Sequence, residues 1–122
     1  MSPALYSAAF LTVAIAIAHS VLGEKYILTR LFRRKDLPRL FGGTQFTTRT
    51  LRFAWHITTV AWIGFAALLV HAGSGDPTTS GMLRIIGVTF LVSSLLPLFA
   101  TRGRHLAWVV FFAIGGLALW CA

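Results

Sequence analysis

The sequence predicts an all-α integral membrane protein, a four-helix antiparallel bundle with a basic amphipathic connection between its first two helices. Three observations predict it: apolar residues gather in four long stretches, charged residues are scarce, and the positive charge is concentrated in one connection. Hydrophobic residues make up 57% of the 122 and charged residues 11%, with a mean hydropathy of +0.78. A water-soluble domain of this size leaves much of its area exposed and needs charge to cover it. Eleven Lys+Arg and three Asp+Glu are too few for that. Lipid is the solvent that the composition fits.

The chain reads as a single transmembrane domain. The first span is expected from about Pro3 to Leu22, the second from about Leu51 to Val70, the third from about Gly81 to Ala100 and the fourth from about His105 to Cys121. A helix of about 20 residues, rising 1.5 Å per residue, crosses a hydrocarbon core about 30 Å thick. Ala16-Ile17-Ala18 resembles the cleavage site of a secretory leader, but no Lys or Arg stands before the apolar run, so the first span is expected to be retained.

The connection from Glu24 to Thr50 is too long for a plain helix hairpin. Tyr26, Ile27, Leu28, Leu31, Phe32, Leu37, Leu40, Phe41 and Phe46 alternate with its basic residues. That alternation predicts a cytoplasmic amphipathic segment lying among the headgroups, with Pro38 starting or kinking a helical turn and Gly42-Gly43 ending it.

Lys25, Arg30, Arg33, Arg34, Lys35, Arg39, Arg49 and Arg52 fall between the first two spans, and Arg102 and Arg104 between the last two. The connection from Ala72 to Ser80 carries Asp76 and neither Lys nor Arg. By the positive-inside rule the basic connections are cytoplasmic and both termini are periplasmic, as expected of a bacterial inner-membrane protein. Arg84 lies just inside the third span on the external side, where it is expected to snorkel to the headgroups or pair with Asp76. A net charge of +8 gathered beside membrane spans speaks for anionic lipid and against nucleic acid. The lone Cys121 can form no internal disulfide and reads as a small apolar side chain.

Few residues carry chemistry. His19 and His56 fall at similar depth near the cytoplasmic ends of the first and second spans. Thr12, His19 and Tyr26 recur every seven residues on one helical face, and Arg49 and His56, with Arg52 and Thr59 slightly rotated, share another. The two stripes are expected to face each other. Ser93 and Ser94 precede Pro97, whose missing N–H frees backbone groups that serine hydroxyls can satisfy. With Glu24, Arg102 and Arg104 at the same level, these residues predict one polar cluster in the inner half of the bundle.

Three functional readings follow. In the first, the protein is a non-catalytic accessory or interaction subunit whose cluster of Arg49, Arg52, Arg102, Arg104, Glu24, Ser93 and Ser94 binds lipid or a partner. In the second, His19 and His56 ligate haem or a metal ion for electron transfer, with Arg49 and Arg52 on the propionates. In the third, an oligomer forms a transporter or channel, although no internal repeat or broken midplane helix marks a carrier. The sequence lacks a G-x-S-x-G elbow, an H-E-x-x-H pair and a glycine-rich phosphate loop. Small residues at Ala4 and Ala8, Ala14 and Ala18, Gly81 and Gly87, and Gly115-Gly116 point to close helix contacts and to a homo-oligomer or a larger membrane complex.

Overall fold

The computed structural model describes the whole chain, Met1–Ala122, and is all-helical. Four helices follow in order: α1, Pro3–Leu31; α2, Gln45–Gly73; α3, Thr79–Thr101; and α4, Ala107–Trp120. The first three, at 29, 29 and 23 residues, are long and apolar enough to cross a membrane. At 14 residues α4 is shorter than the span expected from His105 to Cys121, and covers only about 21 Å at helical rise. The turn before it explains the loss. His105 docks edge-on to Phe53 at 5.0 Å and stacks near Phe46, so residues ahead of Ala107 are held against the start of α2 instead of winding into the helix.

Three of the helix ends have a local cause. Proline at the first position of α1 supplies a fixed φ where no N–H partner is needed. Thr78 caps α3, its hydroxyl accepting from the Gly81 N–H at 3.0 Å. Arg102 stops α3 in the left-handed conformation at φ 53°, and the Gly103 N–H donates back to the Leu98 carbonyl at 2.8 Å.

The expected amphipathic segment over 24–50 does not form as a surface helix. Gly23–Leu28 continues α1 as a wide π-type turn and Thr29–Leu31 completes it, while Gln45–Thr50 already belongs to α2. Continuation wins because it buries Leu28 and gives the Glu24 carboxylate a cationic partner, Arg52, on α2. Only Phe32–Thr44 remains irregular, and Pro38 neither starts nor kinks a helix. A bidentate Arg34–Asp36 ion pair folds this loop and lowers the Asp36 carboxyl to about 2, first through its hydrogen bond from Arg34. Because that value lies below the ordinary one, the pair persists across neutral pH and is lost only as the pH falls through about 2. Phe41 and Gly42, at φ 54° and 86°, then turn the chain toward α2.

Small residues set the packing. Ala9, Ala16 and Gly23, seven apart on α1, are the buried ones, whereas Ala4 and Ala14 of the expected small-residue pairs are exposed. A Cβ on Gly23 would run into the Trp55 indole of α2, and one on Gly64 of α2 into Thr89 of α3. Gly87 of α3 and Gly115 of α4 oppose each other so closely that a Cβ on either meets the carbonyl of the other, while Gly116 faces open space. Side chains of one atom or none let backbones approach where lipid gives no hydrophobic push.

Just 14 residues are buried, and large apolar side chains stand outward: Phe10 is 72% exposed, Leu117 67% and Trp120 90%. An apolar exterior over a small interior is the arrangement of an integral membrane protein. The start of α1 lies beside the end of α2, joined by the Ser2 N–H to the Gly73 carbonyl at 3.1 Å. The other end of α1 meets the start of α2, and there the polar side chains converge.

Candidate functional site

Ser20 and Glu24 are four residues apart on α1, and Arg52, His56 and Thr59 follow at four and three on α2, so each set occupies one helical face. The two faces meet. Arg52 Nη2 lies 2.8 Å from Glu24 Oε1, and Arg52 Nε donates to Glu24 Oε2 at 3.2 Å. The same carboxylate oxygen accepts from His56 Nε2 at 3.2 Å. Across the ring, Ser20 Oγ sits 2.8 Å from His56 Nδ1 and 2.6 Å from Thr59 Oγ1.

One proton arrangement satisfies all of these atoms. A carboxylate only accepts, so Nε2 carries a proton; with the ring neutral, Nδ1 accepts from Ser20, whose oxygen in turn accepts from Thr59. Thr59 would ordinarily return its hydroxyl proton to the Trp55 carbonyl one turn back. That carbonyl already takes the His19 Nε2–H at 3.3 Å.

His19 belongs to a separate contact. Its ring stacks flat on Trp55, centroids 4.5 Å apart and planes 1° from parallel, with Trp62 tilted against it at 4.9 Å. The Trp55 indole N–H returns the bond to the His19 carbonyl at 3.0 Å. Thr12, which shares the expected stripe, bonds its own helix at the Ala8 carbonyl. The polar stripe of α1 is thus rotated by one residue, from His19 to Ser20. Trp55 and Trp62 cover His19.

The arrangement does not suit His19 and His56 as a ligand pair. Both nitrogens of His56 are engaged, by Ser20 and by Glu24, and the His19 ring stacks on the Trp55 indole with Nε2 bonded to backbone. No set of three or more His, Cys, Asp or Glu side chains is placed to hold a metal ion.

Two cavities open beside the network. A groove of about 660 Å³ runs between α2 and α3, with Arg49, Arg52, His56 and Arg102 at its polar edge and Phe53, Leu95, Leu96 and Phe99 along its apolar wall. A chamber of about 360 Å³ lies between the 40–46 loop and the turn after α3, lined by Thr44, Gln45, Arg49, Arg102 and Arg104 among others. Both volumes fall in the range of ligand sites. Arg52 is steadied by the Phe32 ring at 4.9 Å and Arg104 by the Phe41 ring at 5.7 Å.

Of the expected cluster, Glu24, Arg52 and His56 come together in the network, and Arg49, Arg102 and Arg104 around the cavities. Ser93 and Ser94 join neither. Ser94 donates to the Leu91 carbonyl at 2.7 Å, not to a group that Pro97 frees, and Ser93 lines an apolar pocket with Phe65 and Phe111. Arg84 forms no ion pair with Asp76; every salt bridge in the chain involves Glu24 or Asp36. Thr59 stands on the polar stripe expected of the second span, whereas Ser20 is not among the expected residues. Its signal was the pairing of two four-residue spacings, Ser20 with Glu24 and Arg52 with His56. Comparison with known proteins finds no match to a protein-family model, a curated protein or a solved structure.

Proposed function

We propose that this chain is an antiparallel four-helix membrane bundle that binds an anionic amphiphile in the groove between α2 and α3, acting as a non-catalytic accessory subunit. The groove carries the reading: Arg49, Arg52 and Arg102 line it together with the apolar side chains of Phe53, Leu95, Leu96 and Phe99. A lipid phosphate there is held by charge-assisted bonds from planar forks, and the chain below it by Phe53, Leu95, Leu96 and Phe99.

On this reading the basic end of the bundle lies on the cytoplasmic side of a bacterial inner membrane, both termini are periplasmic, and α4 completes the fourth crossing together with its flanking turns. A partner is met within the membrane, as a second copy or as a larger complex. The exposed faces of α1 and α4 are free for that contact.

The test is lipid retention. Protein extracted in mild detergent should carry anionic phospholipid by native mass spectrometry, and Arg49→Ala with Arg102→Ala should weaken binding of dioleoyl phosphatidylglycerol by about tenfold or more, at about 1 kcal/mol for each cation. Unchanged retention in a folded double variant removes the site.

A further inference from the structure

The groove and the chamber adjoin, because Arg49 and Arg102 line both. We infer that together they form one site for a lipid whose headgroup carries two phosphates, a proposal that rests on the amphiphile reading above and names its ligand class. Charge supports it first. Arg52 is neutralised by Glu24, but Arg49, Arg102 and Arg104 have no carboxylate partner, and the only acidic side chain without a salt bridge, Asp76, belongs to the turn between α2 and α3 at the opposite end. Three uncompensated guanidiniums around one small chamber exceed what a single phosphodiester can balance.

Placement supports it next. The shared pair stands where the apolar groove opens into the chamber, so a first phosphate at Arg49 and Arg102 leaves the acyl or prenyl chains along Phe53, Leu95 and Phe99. Arg104 lines the chamber but not the groove, and it rests over Phe41, which gives a second phosphate its own cation. Thr44 and Gln45 add neutral donors there, and Gly42 and Gly43 leave the floor open, with nothing near the place a Cβ would occupy. A diphosphate on one isoprenoid chain and two phosphodiesters bridged by glycerol both present this chemistry.

The experiment measures binding to the full-length chain in dodecyl maltoside, by native mass spectrometry, of tetraoleoyl cardiolipin, geranylgeranyl diphosphate, dioleoyl phosphatidylglycerol and dioleoyl phosphatidylcholine, with inorganic pyrophosphate as competitor. At least one two-phosphate lipid should bind about fivefold tighter than phosphatidylglycerol, the worth of one further cation–phosphate contact, and the tighter of the two names the source. Arg104→Ala should abolish that preference while leaving phosphatidylglycerol unchanged, and Arg104→Lys, which keeps the charge, should restore part of it. Equal binding of both two-phosphate lipids and phosphatidylglycerol overturns the inference and leaves the amphiphile reading standing. Phosphatidylcholine binding as well as phosphatidylglycerol overturns that reading itself. Pyrophosphate displacing lipid at matching concentration overturns the inference by removing the groove's part in it. Circular dichroism of each variant confirms the helical fold.

Discussion

Gly115→Leu is expected to lower the thermal midpoint of the detergent-solubilised protein by about 10 °C, while Gly116→Leu, one residue further along α4, leaves it unchanged or slightly raised. A Cβ at Gly115 meets the Gly87 carbonyl and the Leu91 side chain, whereas nothing lies near one at Gly116. Overpacking ordinarily costs about 1–3 kcal/mol, and the upper end applies here because a backbone carbonyl cannot turn aside as a side chain does. The remaining way to relieve the clash is for α4 to move off α3, and α4 has only 14 residues with which to hold its place. The same helix propensity gain accompanies both substitutions, so their difference isolates packing. Intrinsic tryptophan fluorescence, followed on heating, reads the result; equal melting of the two variants would show that the Gly87–Gly115 approach does not hold the helices together.

Glu24→Ala is expected to destabilise the protein by about 2 kcal/mol, and the double variant with His56→Ala to cost less than the sum of the two single ones by about 1 kcal/mol. The carboxylate takes bonds from Arg52 and from His56 Nε2, so its loss strands two donors at once. Removing His56 as well takes away one of the stranded groups and releases Ser20 to Thr59. The figure is held down by solvent: the Glu24 side chain is 35% exposed and that of Arg52 45%, where ion pairs are screened. A double-mutant cycle by thermal or chemical unfolding measures the coupling. Strict additivity would mean that the two helices do not communicate through this carboxylate.

His19 shows why the sequence led near the site without reaching it. Periodicity places residues on a helical face to within a residue or so, and one residue turns the helix by about 100°. Thr12, His19 and Tyr26 made a regular stripe, and so did Ser20 with Glu24; only contact with α2 decides between them. The Trp55 indole does so by filling the space beside Gly23, because a ring that lies flat on His19 leaves the next position, Ser20, to meet His56. The arginines were legible as a group from their charge. Their division into one paired with Glu24 and three left for the cavities was not, since it depends on which side chains the turn after α3 brings beside Arg49.

Composition and the spacing of apolar stretches alone determined that the chain is helical and where its cations gather, because these properties are carried residue by residue along the chain; of the four spans they led one to expect, three are helices long and apolar enough to cross a membrane. Tertiary structure alone decided that the basic connection is mostly helix extension, that Ser20 and not His19 faces His56, that Ser93 and Ser94 stand apart, and that Gly87 lies on Gly115. Each of these depends on the rotation of one helix against another, and that rotation is set by which small residues allow close approach and which buried polar groups find partners, neither of which a single strand of sequence contains.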